Sequence, residues 1–189
     1  MASELFVDQI KPGPGNNSID LNASSNIELN ASSSIELNAS SSISFKTNGN
    51  TQLTIDSAGR LLTPNRPYFY ARVANANHTT GTIPYNLVDY NVGGHYDSST
   101  YTFTAPVAGI YSITFQFFAA PNQTGGTDLQ VNGVLTLRAG REGTETYYEG
   151  YSNAINKYLN VGDTVRVQHY TGTVHTNTPF SHFSAYLVG

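Results

Sequence analysis

Few residues of this chain have the types and spacing that catalysis requires. Cysteine is absent, which excludes disulfides, thiolate nucleophiles and thiolate metal ligands. The Gly-x-Ser-x-Gly and His-Glu-x-x-His patterns of hydrolases and metalloproteases are absent too. Glu142, Glu145 and Glu149 are close enough in sequence to supply a glycosidase carboxylate pair. Their Gly-, Thr- and Tyr-rich surroundings are more typical of a solvated face, so we predict that the protein is not an enzyme.

Three histidines near the C-terminal end are candidate metal ligands. His169, His175 and His182 could converge if several chains met on an axis. None of them has the His-x-His spacing that places two ligands on one face of a strand. Packed or surface roles are therefore favoured, and we predict no metal and no cofactor.

Tyrosines cluster in the same part of the chain. A tyrosine ring can stack on the face of a sugar while its hydroxyl forms hydrogen bonds. We therefore predict receptor or glycan contacts at five aromatic and loop residues, namely Tyr147, Tyr148, Tyr151, Asn122 and His175. The alternative, which the same clustering favours, is that the aromatics form a subunit interface or a core. Phe118, on the otherwise polar face of its strand, also fits an interface.

Charge and hydropathy exclude several classes of partner. Only 12% of the 189 residues are charged, the net charge is −4 and no basic block occurs. Nucleic acids and anionic membranes are bound mainly through clusters of Lys and Arg, so neither is an expected partner. No run approaches the ~18 apolar residues of a membrane helix. Residues 1–7 lack the basic and apolar regions of a signal peptide, so we expect neither membrane insertion nor the usual secretory route.

Residues 101–117 predict the centre of an antiparallel sheet. Tyr111, Ile113, Phe115 and Phe117 alternate with polar residues, which is typical of a half-buried strand. The predicted core therefore contains these four residues and Phe103 from the preceding strand. Across residues 67–189 about ten short strands, one of them at 144–148, follow one another with turn residues between them and without helical periodicity. This pattern predicts an all-β sandwich or jelly roll.

An internal repeat occupies residues 18–45. Each unit alternates Ile, Leu and Ala with polar residues and closes on Ser-Ser or Ser-Asn. One chain cannot make a core from so few apolar side chains, whereas three copies around one axis can. We predict a trimeric β-stranded shaft and neck over 18–66, with a hairpin at 53–62; a disordered Ser/Asn-rich linker is the alternative. The predicted shaft core comprises Ile19, Leu21, Ile27, Leu29, Ile35, Leu37, Ile43 and Phe45.

Three segments of the C-terminal part resemble a known family. Residues 88–103, followed by Pro106, Gly109, Tyr111, Ile113 and Phe115, resemble the signature of the C1q/TNF-like globular domain. Residues 158–165 and 180–187 resemble its later strands. The family has Phe where this chain has Ile113, which keeps a bulky inward residue. The resemblance implies a ten-stranded jelly roll and a tight homotrimer. Some members bind calcium at the trimer apex, where Asp97 or Asp128 would be the candidates, but neither has a ligand-dense loop.

The N-terminal part resembles a different group of proteins. Residues 1–10 are similar to the start of many fibre and appendage proteins of marine tailed bacteriophages, cyanophages included, and residues 53–62 are similar to a segment that recurs in phage fibres. A collagen-like Gly-x-y stalk is absent. The resemblance implies a leader, residues 1–17, that docks on a capsid or tail protein through Leu5, Phe6 and Val7.

Together these patterns predict a homotrimeric phage fibre, such as a tail fibre, located in the virion and assembled in the host cytoplasm. Its knob, residues 67–189, would bind host-surface polysaccharide. One alternative is a capsid-decorating head fibre with a structural or loose-adhesion role. Another is a cellular C1q-like lectin.

Overall fold

The computed structural model describes residue 37, residues 39–141 and residues 145–189. This part of the chain is built of strands and connections only, and it contains no helix that could cross a membrane. The strands are β1 Ile43–Thr47, β2 Asn50–Ile55, β3 Leu61–Leu62, β4 Tyr68–Arg72, β5 Ala76–His78, β6 Leu87–Val92, β7 Tyr96–Asp97, β8 Thr102–Thr104, β9 Gly109–Ala119, β10 Gly125–Val131, β11 Val134–Arg141, β12 Glu149–Leu159, β13 Thr164–Gly172, β14 Val174–Thr176 and β15 His182–Leu187.

Two antiparallel sheets form a sandwich from β4 to β15. One sheet has the order β11-β10-β13-β8-β7. The other has the order β5-β14-β9-β15-β4-β6, and β12 pairs with the free edge of β9. Because β9 pairs with β12 on one side and with β14 and β15 on the other, it is the central strand of the larger sheet.

The core lies between the two sheets and is rich in aromatic rings. Strict alternation along β9 turns Tyr111, Ile113, Phe115 and Phe117 inward, and each has 0% exposure, as does Phe103 of β8. These are the five side chains that the sequence assigns to the knob core. Burial of each large apolar side chain contributes roughly 1.5–3 kcal/mol to folding, so these five side chains stabilise the sandwich substantially.

The strand pattern differs from the prediction in two respects. The described residues place twelve strands in the two sheets rather than ten, because β5, β7 and β14 contain only two or three residues and show no alternation in the sequence. The predicted strand at 144–148 is wrong over its described part. Residues 145–148 form the connection between β11 and β12, where Tyr147 and Tyr148 are exposed.

A separate three-stranded antiparallel sheet, β1-β2-β3, precedes the sandwich; we call it the collar. The hairpin predicted at 53–62 is present, and the Asp56 carboxylate accepts hydrogen bonds from the backbone N–H groups of Ala58 and Arg60 within its turn. Asn48 and Gly49, with φ of 49° and 77°, form a second tight turn between β1 and β2.

Only part of the predicted shaft falls in the collar region. Ile19, Leu21, Ile27, Leu29 and Ile35 lie outside the described residues, as do the docking residues Leu5, Phe6 and Val7. Leu37 and Phe45 are exposed at 55% and 45%, and Ile43 is half-buried in β1. The described end of the predicted shaft is therefore a hairpin sheet within one chain, with apolar side chains left uncovered.

Candidate binding site

The sandwich has two distinct ends. At one end the backbone N–H of Ile110 donates to the carbonyl of Gly189, and the N–H of Leu187 donates to the carbonyl of Pro67. The neck, residues 63–67, therefore lies together with Gly189 and the start of β9. Phe118 lies eight residues further along β9. At ~3.3 Å per residue, this places the opposite end about 26 Å from the neck.

A pocket of about 290 Å³ lies at that distal end. We call it the distal pocket; it is lined by Phe118, Tyr148, His175, Asn177 and Phe180. The ring centroids of Tyr148 and His175 are 4.5 Å apart, and Phe118 and Phe180 meet edge to face at 5.9 Å. Tyr148 and Phe180 remain about half exposed, so their rings are available to a ligand.

Local structure fixes the polar groups of the distal pocket. The Nδ1 atom of His175 lies 2.7 Å from the amide oxygen of Asn77, which can only accept, so Nδ1 carries the proton and Nε2 keeps its lone pair in the neutral ring. Burial lowers the pKa of His175, which favours that neutral form. The carbonyl of Asn177 accepts hydrogen bonds from the N–H groups of Phe180 and Ser181, and this turn presents the Phe180 ring.

The outer faces of the two sheets differ in chemistry. Because Phe69, Ala71, Phe183 and Ala185 point into the core, their neighbours on β4 and β15 point outward. Together with outward side chains of β6, β9 and β12, these residues form one outer face of the larger sheet, which we call the aromatic face. The larger sheet also carries an ion pair on this side, Arg72–Asp89. The smaller sheet presents mainly charged and amide side chains, including the Asp128–Arg138 pair and Arg166 bonded to Gln130. The aromatic face comprises Tyr68, Tyr90, Ile110, Tyr158 and Tyr186, each between 38% and 59% exposed.

The comparison with protein families identifies this sandwich. A family model for the C1q domain matches residues 68–188. The chain belongs to the C1q domain family. The fold is all-β and jelly-roll-like, and domains of this family are commonly trimeric, act in binding and are generally not enzymes.

Solved structures share the fold of this C1q domain at low sequence identity. The globular domain of zebrafish complement 1qA protein is 16% identical, with a TM-score of 0.55, over 66% of this chain and 98% of that one. Murine APRIL is 13% identical, with a TM-score of 0.50, over 65% of this chain and 99% of that one. Neither is a phage protein, so the phage setting stays a prediction from the N-terminal residues.

The structure brings together two of the five predicted contact residues of the C1q domain. Tyr148 and His175 meet in the distal pocket. Tyr147, like Tyr148, lies in the connection between β11 and β12 and is exposed. Asn122, at a φ of 59°, bonds through its backbone N–H to the carbonyl of Glu145, so its turn holds the start of that connection. Tyr151 is half-buried and stacks on Phe117 against the core, 5.6 Å between centroids.

Two aromatic residues of the distal pocket were missed by the sequence analysis as binding residues. Phe118 was assigned to an interface because it interrupts the polar face of β9, and Phe180 fell inside a predicted strand. Asn177, in contrast, ends a polar segment, residues 172–177, which the sequence predicts to be a loop of the type that carries recognition on a rigid sandwich. In the structure β15 begins at His182, which leaves Phe180 in a turn.

The candidate metal ligands of the C1q domain are engaged in other contacts. Three hydrogen bonds from Ser99 and Thr100 hold the pKa of Asp97 at about 2. The Asp128 carboxylate accepts two bonds from Arg138, at 2.7 and 3.0 Å. His169 bonds to the Gly172 carbonyl. Over residues 37, 39–141 and 145–189, no three His, Cys, Asp or Glu side chains are grouped to hold a metal ion.

His182, the third histidine considered as a metal ligand, and the candidate catalytic glutamates are not brought together in the described residues. His182 stacks on Tyr70, with centroids 5.4 Å apart. Glu142 lies outside the described residues, Glu145 is exposed in the β11–β12 connection and Glu149 begins β12.

Proposed function

We propose that this chain is a homotrimeric bacteriophage fibre protein whose C1q domain binds host-surface polysaccharide without covalent chemistry. The observation that supports this best is the position of the distal pocket. An exposed aromatic pocket lies at the end of the domain opposite the neck, which is the end that a fibre presents to its target. The virion is the location that this proposal implies.

The chemistry of the distal pocket suits a sugar ring. Tyr148 and Phe180 offer flat apolar surface to the C–H groups of a pyranose, as aromatic side chains do in binding sites. The amide of Asn177 and the free Nε2 atom of neutral His175 can bond to hydroxyl groups beside those rings. No charged side chain among the described residues lines the pocket, so a neutral sugar is the expected ligand.

The aromatic face supports the homotrimer. Surfaces that expose several Tyr and Ile side chains together are typical of subunit interfaces, and trimers are common in the C1q family. Three identical domains would present three distal pockets at one end. Weak individual sites then gain affinity through avidity, because the second and third contacts become intramolecular.

The phage setting rests on the N-terminal sequence. Residues 1–10 and 53–62 are similar to segments of phage fibres, and the apolar Leu5, Phe6 and Val7 give the leader a short docking motif for a capsid or tail protein. Imaging particles that contain a tagged copy of this chain by electron microscopy distinguishes a tail fibre from a head fibre. Absence of the tag from purified particles would contradict the virion location.

Glycan binding tests the proposed site. We expect the full-length protein to bind defined neutral polysaccharides on an array, and Tyr148→Ala and Phe180→Ala to weaken that binding by roughly tenfold, which corresponds to about 1.4 kcal/mol. The matched control is Tyr170→Ala, an exposed aromatic side chain on the smaller sheet. A blank array with intact trimers, or equal binding by all three variants and the wild type, contradicts the proposal.

A further inference from the structure

The collar has one face that is apolar except beside the β1–β2 turn, where Thr47 continues the alternation of Ile43 and Phe45. Strand pairing places Ile43 opposite Ile55, Ile55 opposite Leu61, and Phe45 opposite Leu53. Since side chains alternate between the two faces of a sheet, these five share one face, which we call the collar face. Ser44 and Thr54 lie on the other face, where their hydroxyl groups are 3.3 Å apart.

The described part of the chain covers the collar face only in part, and Ile43, Leu53 and Ile55 are half-buried. Phe45 and Leu61 remain 45% and 70% exposed. A sheet with one apolar side needs a second layer to be stable in water. Residues 39–42 and Leu37 pass beside Ile55 and the β2–β3 turn, and they are exposed themselves, so they do not provide that layer.

We propose that the collar face packs against the same face of two other copies of this chain, which makes the collar a second trimerisation element beside the C1q domain. This inference rests on the homotrimer of the proposed function. The collar face contains no charged side chain, so three identical faces can meet without burying a charge. It is small, two rows of side chains across three strands, or about 7 by 10 Å, which suits convergence on an axis.

The neck explains why such a small face can associate. On its own it falls far below the ~800 Å² per partner of a stable interface. The side-chain amide of Asn65 donates to the Thr51 carbonyl and the Gln52 side chain, at 3.0 and 3.2 Å, which ties β2 to the neck. Gln52 also lines a depression with His95 and Leu187 at the base of the C1q domain. Three joined domains therefore hold three collars at millimolar effective concentration.

Engineered cysteines test this packing, because the chain contains none of its own. Phe45→Cys and Leu61→Cys place a thiol on the collar face, and Leu62→Cys, 47% exposed on the opposite face, is the control. A disulfide requires Cβ atoms about 3.5–4.5 Å apart, so it reports contact. After brief treatment of the full-length protein with diamide, we expect a covalent dimer on a non-reducing gel for the first two variants and none for the control.

The possible outcomes separate this inference from the proposed function. A trimeric mass by light scattering with no cross-link at either collar position overturns the collar contact and leaves the homotrimer standing. A monomeric mass overturns both. Equal cross-linking at Leu62→Cys would mean random collision and contradicts the proposal. The double variant Ile35→Cys/Phe45→Cys tests a different partner for the collar face. An intrachain disulfide without interchain bonds would show that the repeat of the same chain packs against this face, which contradicts the proposal.

Discussion

Among the buried tyrosines of the sandwich, Tyr85 and Tyr96 each donate a hydrogen bond from the hydroxyl group to a backbone carbonyl. Tyr85 donates to the carbonyl of Gln116 at 3.0 Å, and Tyr96 donates to that of Tyr85 at 2.7 Å. Burial raises the pKa of each phenol well above its ordinary value, so both stay neutral donors. The two bonds connect the segment between β5 and β6 to β9 on one side and to β7 on the other.

Removing one of these hydroxyl groups should weaken the fold. We expect Tyr85→Phe to lower the free energy of unfolding by about 1–2 kcal/mol, because the Gln116 carbonyl loses this partner in a dry environment. Urea titration of the full-length protein measures the change. The control is Tyr170→Phe, which keeps the half-exposed ring on the smaller sheet and removes only its hydroxyl group, so we expect a change within about 0.5 kcal/mol. Equal effects of the two substitutions would contradict the role of the buried bond.

The lowered pKa of Asp97 leads us to expect a contribution to stability that is lost in acid. Its pKa is about 2 in the folded protein, because Ser99 and Thr100 donate to the carboxylate, against about 3.9 in an unfolded chain. A lowered pKa stabilises the fold above the unfolded value, and this contribution is lost as the pH falls from about 4 to 2. We expect the urea midpoint of the wild type to fall more steeply over that interval than that of Asp97→Asn. Parallel pH profiles would contradict this assignment.

At the residue scale, the sequence predicts the core better than the pocket. Alternation along β9 is long enough to assign Phe115 and Phe117 to the inside. The sequence does not show whether Tyr151 points inward. That depends on where β12 begins, and no turn residue marks the beginning of this strand. Tyr148 and His175 meet only because β12 and β14 both pair with the end of β9, a long-range pairing that local patterns do not contain.

Among the elements, the close packing of β10 and β13 depends on Gly172. Its φ is 63°, and a Cβ atom there would overlap the carbonyl of Thr124. We expect Gly172→Ala to lower the free energy of unfolding by several kcal/mol, since the backbone strain and the overlap add. Gly133→Ala is the control, with φ of 77° and open space around its Cβ, and should cost only about 1–2 kcal/mol. A smaller loss at Gly172 than at Gly133 would contradict the close-packing argument.

In the collar, the sequence predicts one of the two hairpins and misses the other. The β2–β3 hairpin follows from the Ser-Ala-Gly turn. The β1–β2 hairpin was missed because Ile43 and Phe45 continue the Ile-x-Leu spacing of the repeat, which made them look like one more unit. The local residues Asn48 and Gly49 favour the tight turn that pairs β1 with β2 instead.

In the molecule as a whole, the proposed assembly and binding sites lie at different places in the chain. The collar, the neck and the last residue lie at one end of the C1q domain, and the distal pocket lies at the other. The aromatic face runs along the larger sheet between them. Substitutions at the distal pocket should therefore alter binding without altering the oligomer.

Deletion of residues 1–17 tests whether attachment to the virion and formation of the oligomer depend on different segments of the chain. We expect the shortened chain to keep the oligomeric state of the full-length protein and to lose attachment to the virion, because the apolar leader is the proposed docking segment. Immunoblots of purified particles measure the attachment. Particles that retain the shortened chain at wild-type levels would show that docking lies elsewhere.

The homotrimer is the central claim, because avidity at the distal pocket and packing of the collar both depend on it. Light scattering of the purified full-length protein, coupled to size-exclusion chromatography, measures the mass of the assembly directly. The account predicts three times the 20.4 kDa mass of the chain, unchanged on dilution through the micromolar range. A mass equal to a single chain at those concentrations would contradict it.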